Sequence, residues 1–222
     1  MTATVLIMAK APEPGRVKTR LCPPLTQHEA AAVAAAALTD TLTAAGATPG
    51  VRRVLALSGD LDQALGATMI RSALAGFTVI AQRGVGLAER IVNAHLDSGP
   101  GPIFQVGMDT PQLTSELIMD AIRELQGGDG PDAVLGPAVD GGWWGLGLRH
   151  AEQVAPVGQV RMSTRDTGSD TLAALRAGGL RIGLLPALRD VDTIDDAAAV
   201  AAAAPGSRFA DLVGTLTGPA AR

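Results

Sequence analysis

Short runs of β-branched and aliphatic residues recur along this chain between longer segments rich in Ala and Leu, and no other feature constrains its fold as strongly. Short continuous apolar runs suit strands buried on both faces. The segments between them are long enough for crossover helices, so the pattern reads as parallel βα units. Strands are expected at Thr4 to Ala9, Val51 to Leu57, Thr78 to Ala81, Ile103 to Val106, Ala133 to Leu135 and Arg181 to Leu185. Helices are expected from the capping box Thr26-Gln27-His28-Glu29 to near Gly46, from starts at Asp60, Thr114 and Thr193, and over Glu89 to Leu96 and Asp170 to Ala177. Asp140 to Leu148, DGGWWGLGL, reads as a Gly-rich turn leading into a strand. The expected architecture is a single α/β domain over residues 1–222, an open and mostly parallel sheet with helices on both faces.

Composition narrows the function classes. With 47% hydrophobic and 18% charged residues, the chain can bury a core and is too weakly charged to stay disordered. Aromatics are 2% and Tyr is absent, so there is little on which bases could stack, and a net charge of −4 supplies no general grip on a phosphate backbone. Nucleic acid is therefore not an expected partner. Cys22 stands alone and His28, His95 and His150 lack zinc-ligand spacing; all three histidines are expected to be satisfied surface residues. The N-terminus lacks a basic start, and no uninterrupted apolar stretch approaches about 18 residues, so the expectation is a cytoplasmic protein without a membrane partner. A homodimer is expected only on the general frequency of symmetric dimers.

In open α/β sheets ligands lie beyond the carboxyl ends of the strands. The first strand is followed by Lys10-Ala-Pro-Glu-Pro-Gly-Arg-Val-Lys-Thr-Arg-Leu21, in which Gly15 permits close backbone approach and Arg16, Lys18 and Arg20 gather positive charge. That is a candidate phosphate cradle, although it matches neither GxGxxG nor GxxxxGK[ST]. The fourth strand runs into Gly107-Met-Asp-Thr-Pro-Gln-Leu113, where Asp109 is placed either to hold a divalent cation against phosphates or to organise a turn before Pro111. Asp140, Gly141 and Gly142 offer a carboxylate on a flexible backbone beside Trp143 and Trp144, which suits either an acceptor wall with Asp140 as general base or a turn with two core rings. In Asp190-Val-Asp-Thr193, Asp192 is either a second cation ligand or part of a helix start.

Taken in order, AKAPEPGRVKTRL, GMDTPQL, DGGWWGLGL and DVDT resemble the GT-A-like nucleotide-diphospho-sugar transferase superfamily, and within it an uncharacterised glycosyltransferase family sometimes linked to arsenosugar biosynthesis. The resemblance implies a Rossmann-like GT-A domain with Lys18 and Arg20 on donor phosphates, Asp109 on Mg2+ or Mn2+, Gln82 in the nucleotide site and the DGG segment on the acceptor side. It implies glycosyl transfer from a nucleotide sugar to a small-molecule acceptor. Two departures matter. The superfamily's usual Asp-x-Asp pair is here Asp109-Thr110-Pro111, and its common Tyr pair is Trp143-Trp144. The KTRL loop also resembles that of phospholactate guanylyltransferase and molybdenum-cofactor nucleotidyltransferases, which implies as the alternative a nucleotidyl transfer from an NTP to a phosphorylated small molecule. A non-catalytic nucleotide- or sugar-binding module is the third class.

Overall fold

The structure, a computed structural model, describes residues 1–218. Seven strands form one sheet: β1 (Thr4–Lys10), β2 (Arg52–Ser58), β3 (Thr78–Ala81), β4 (Ile103–Val106), β5 (Ala133–Pro137), β6 (Trp143–Leu148) and β7 (Ile182–Leu184). Their order is β3-β2-β1-β4-β6-β5-β7. Pairs within β3-β2-β1-β4 are parallel, as is β5–β7, whereas β6 runs antiparallel to both β4 and β5. The expected doubly wound, mostly parallel sheet is thus present, with one reversed strand. The reversal follows from chain length: only five residues separate β5 from β6, enough for a hairpin turn and too few for a crossover helix. Glycines fit β6 to its neighbours. A Cβ on Gly147 would stand 2.6 Å from Val134 and 2.7 Å from Leu125, so only a bare backbone lets α4 (Ser115–Gln126) close on this part of the sheet.

Seven helices accompany the sheet among the described residues: α1 (Gln27–Ala47), α2 (Ala67–Ala73), α3 (Gly86–Asp97), α4, α5 (Thr167–Ala177), α6 (Ile194–Ala203) and α7 (Arg208–Thr217). On one face Leu38 and Leu42 of α1, Ile70 of α2 and Ile118 and Ile122 of α4 pack on Val5, Ile7, Leu55 and Phe104. On the other, Ile91 of α3, Leu175 of α5 and the 3-10 segment Ala151–Gln159 cover Leu6, Met8, Ala56 and Leu146. The outer side of α1 is covered in turn, by Val200 of α6 and by Phe209 and Val213 of α7. This sandwiching accounts for an α1 that is apolar nearly all round. α1 is long and apolar enough to cross a membrane by length and composition, yet 67% of that stretch is buried inside the fold.

Local signals hold where they are strong. Thr26 with Glu29 forms the expected capping box, Thr193 forms one with Asp196, and Thr114 caps α4 through the Leu117 amide. Asp60 starts only a short 3-10 turn, Leu61–Gln63, and the helix expected there begins later at Ala67. α5 begins at Thr167 instead of Asp170. α7, whose start Ser207 caps through the Ala210 amide, lies beyond the expected helices. One histidine corrects the surface expectation: His28 and His150 are exposed, but His95 is 0% exposed under α3, because the helix face that carries Ile91 and Ala94 carries it too.

Candidate functional site

Strand order reverses direction around β1, whose neighbours β2 and β4 lead to opposite halves of the sheet. A cleft of about 770 Å3 opens at that switch point, beyond the carboxyl ends of β1 and β4. Lys10, Asp109, Asp140, Trp143, Asp190 and Asp192 reach it from four separate strand ends. A smaller recess of about 270 Å3 adjoins it, sharing Lys10, Arg20, Asp109 and Asp192, and is closed by Arg16 and Lys18.

Lys18 adopts a left-handed backbone (φ 47°) at the start of the 3-10 turn Thr19–Leu21, and this turns its side chain inward until only 10% is exposed. Its Nζ donates to Asp109 Oδ2 at 2.6 Å and to the Val191 carbonyl, and it lies 3.9 Å from Asp192 Oδ1. Arg20 Nη1 donates to Asp192 Oδ2 at 2.7 Å. The inward Lys18 and the exposed Arg20 therefore meet both candidate cation ligands. Arg16 borders the adjoining recess but is absent from the main cleft: its guanidinium is 3.3 Å from Glu13 and it also lines a separate shallow cavity with Gly59, Asp60 and Gln63. Gly15, at φ 76°, leaves room for the Gln27 amide and does not line the cleft.

Across the cleft, Asp140 Oδ1 accepts from the Gly142 amide at 2.8 Å, which fixes the carboxylate within the β5–β6 turn. Gly141, at φ 93°, could not carry a side chain, since a Cβ there would stand 2.0 Å from the Arg165 carbonyl oxygen; the close approach seats residues 163–168 against the turn. The tryptophans divide between the two roles left open by sequence. Trp143 is half-buried at the cleft wall and donates to Thr171 Oγ1, whereas Trp144 is 3% exposed, donates to the Pro186 carbonyl and meets Phe104 edge-on at 6.0 Å. Gln82 bridges strands: Nε2 donates to the carbonyls of Ala9 and Ala56, both at 2.9 Å, at the mouth of the cleft.

Three contributors carried no role in the sequence reading. Arg90 lines the cleft from α3, and residues 162–165 close it from before α5. Asp190 is the third, although the DVDT motif contained the signal for it. Burial pushes its carboxyl up to about 6, helped by the negative charges of Asp109, Asp140 and Asp192. The four aspartates face Lys10, Arg20, Arg90 and Arg165 across the same cleft, with Lys18 beside Asp109. Among the described residues no three acidic, His or Cys side chains converge as a complete ligand set, so phosphate and water oxygens would have to complete the shell of any ion held by Asp109 and Asp192.

The fold is that of the nucleotide-diphospho-sugar transferase class of α/β domain. The model of a family described as an uncharacterized protein conserved in bacteria (DUF2064) matches residues 41–164, more than half of the chain, and the chain belongs to that family. A protein from Desulfovibrio desulfuricans G20, provisionally named a nucleotide-diphospho-sugar transferase, superposes with a TM-score of 0.82 at 27% identity, covering 97% of this chain and 96% of that one. A cytidylyltransferase from Leptospira borgpetersenii serovar Hardjo-bovis (strain JB197) shares the fold at a TM-score of 0.59 and 14% identity, over 97% of this chain and 94% of its own. A CMP:2-keto-3-deoxy-manno-octonic acid synthetase complexed with CTP does so at 0.56 and 11%, over 87% and 94%. No curated protein matches this chain.

Proposed function

We propose that this protein is a transferase acting on a nucleotide-activated donor, and that it transfers a glycosyl group from a nucleotide sugar to a small-molecule hydroxyl. The observation that carries this is the meeting of Lys18 and Arg20 with Asp109 and Asp192 at the switch-point cleft, from three loops far apart in sequence. Lys18 and Arg20 hold the donor's diphosphate oxygens, exchanging their carboxylate partners for phosphate. Asp109 and Asp192 would hold Mg2+ or Mn2+, and such an ion would supply charge neutralisation at the donor phosphates. Asp140, fixed by the Gly142 amide, takes the proton of the acceptor hydroxyl as its oxygen attacks the anomeric carbon. The bond from that carbon to the diphosphate oxygen breaks, and the nucleoside diphosphate leaves with the electron pair. Trp143 supplies the apolar wall for the acceptor.

A second reading is favoured by Asp109-Thr110-Pro111, which places one carboxylate where an Asp-x-Asp pair would place two. In it a phosphate oxygen of the acceptor attacks the α-phosphorus of an NTP, the α–β bond breaks and pyrophosphate leaves. A thermal-shift screen of nucleotide sugars against nucleoside triphosphates, with and without Mg2+ or Mn2+, tests the shared premise, since a ligand of the folded state raises the melting temperature with its excess over Kd. Release of nucleoside diphosphate or of pyrophosphate then separates the two reactions. Stabilisation by neither ligand class under any condition would reject both.

A further inference from the structure

β4 carries one polar side chain among apolar ones: Gln105, 3% exposed between Phe104 and Val106. An amide in that place costs free energy unless its groups are bonded. Its Oε1 lies 2.9 Å from Nε2 of His95, which is itself fully buried on this face. Nδ1 of His95 has no partner among the described residues. With the ring proton on Nε2, donating to Gln105 Oε1, the unpaired nitrogen is an acceptor and not an N–H, the less costly of the two arrangements. Gln105 is then fixed with Nε2 turned away from the histidine. It lines the cleft, and among the described residues no acceptor reaches that Nε2. Thr110, in the loop four residues beyond β4, is 1% exposed, lines the cleft and leaves its Oγ1 without a partner among the described residues. Two apolar residues at positions 95 and 105 would fill the space with no polar cost. What the polar pair adds is a rigid N–H donor at the cleft floor.

Gln82 presents the opposite polarity. Because both neighbours of its Nε2 are main-chain carbonyls, the orientation of the amide is determined, and Oε1 is the end left for a ligand. Met8, Leu87 and Ile91 line the same side of the cleft with apolar surface. A planar heterocycle that bears both an acceptor and an N–H matches this floor, and a phosphate, which offers acceptors alone, does not. Building on the nucleotide-donor reading above, we propose that Gln105, positioned by His95, reads the nucleobase of the donor by donating from Nε2 to a ring nitrogen or carbonyl, while Gln82 Oε1 accepts from a base N–H.

Calorimetric titration in Mg2+ tests this, using ATP, CTP, GTP, UTP and their nucleotide sugars, with inorganic tripolyphosphate as the base-free probe. The wild-type protein is expected to bind at least one nucleotide more tightly than tripolyphosphate. The double variant His95→Leu/Gln105→Leu, which keeps the core filled, should weaken that nucleotide about tenfold and leave tripolyphosphate unchanged, the loss of one well-placed hydrogen bond. Gln105→Met, close in shape, should lose the same factor. His95→Leu alone should lower the nucleotide-to-tripolyphosphate affinity ratio although the ring does not touch the ligand, a readout that a packing role would leave unmoved. A double variant that keeps the full nucleotide preference would overturn base reading by Gln105 and leave the donor assignment standing. Wild-type protein that binds nucleotide no better than tripolyphosphate would overturn it as well, and binding of neither would remove the donor assignment with it.

Discussion

Charge pairing at single residues sets what a ligand must displace in the cleft. Lys18 is held by Asp109 and the Val191 carbonyl, and Arg20 by Asp192, so the loop cations already have carboxylate partners that a phosphate would replace. Lys18→Ala is expected to weaken nucleotide binding by about 1.5 to 3 kcal/mol, the range for a charge-assisted hydrogen bond, as measured by calorimetry. Unchanged affinity in both Lys18→Ala and Arg20→Ala would end that role. Asp109→Asn, nearly isosteric, should keep the melting temperature within a few degrees and lose the dependence of nucleotide binding on Mg2+ or Mn2+; identical metal titrations in variant and wild type would make Asp109 structural. Asp190 should behave oppositely in stability. Its carboxyl, raised to about 6 by burial and three neighbouring aspartates, is ionised at pH 7 at a cost, so Asp190→Asn should stabilise the ligand-free protein by roughly 1 to 2 kcal/mol after solvent screening. Urea unfolding at pH 7 reads this directly, and a destabilised variant would show that the carboxylate's contacts outweigh its repulsion.

At the level of elements, the site depends on parts that never touch a ligand. Val191 packs with Phe209 and Val213 of α7, and its carbonyl receives Lys18, so the packing of α6 and α7 on α1 sets the position of the Asp190–Asp192 segment. Phe209 is fully buried there, and Phe209→Ala should cost about 3 to 5 kcal/mol in unfolding free energy. The β5–β6 turn depends in the same way on Gly141, whose φ of 93° and contact with the Arg165 carbonyl exclude a side chain. The chain marked some of these elements plainly. The capping boxes at Thr26 and Thr193 are local sequence patterns, and both helices start where those patterns place them. α7 was as legible, with Ser207 before a periodic Phe209, Leu212, Val213 and Leu216, and the short gap after β5 marked the reversal of β6, whereas the insertion of β6 between β5 and β4 depends on how the hairpin docks on the sheet and had no local mark.

For the whole molecule, the buried His95 predicts an acid limit to stability. Burial lowers its pKa from 6.5 to about 4, against a smaller upward push from Gln105. Below the ordinary value the unfolded chain takes up a proton that the folded protein refuses, so the stability associated with this group is complete above pH 6.5 and falls as pH drops towards 4, by up to roughly 3 kcal/mol. Urea unfolding at pH 7 and pH 5 should show a larger loss in the wild-type protein than in His95→Leu/Gln105→Leu; equal losses would place the acid sensitivity elsewhere. The sequence by itself determined what is written in neighbouring residues: the alternation of strands and helices, the helix caps, and the types of charge at the strand ends, because backbone propensity and capping act over a few residues. Only the tertiary structure decided which charges meet. The Lys18–Asp109 bond joins residues 91 apart and the Arg20–Asp192 bond residues 172 apart, and the burial of His95 against Gln105 depends on α3 settling on β4. Such contacts arise from how faces pack, and a periodic pattern specifies that a face is apolar without specifying which partner covers it.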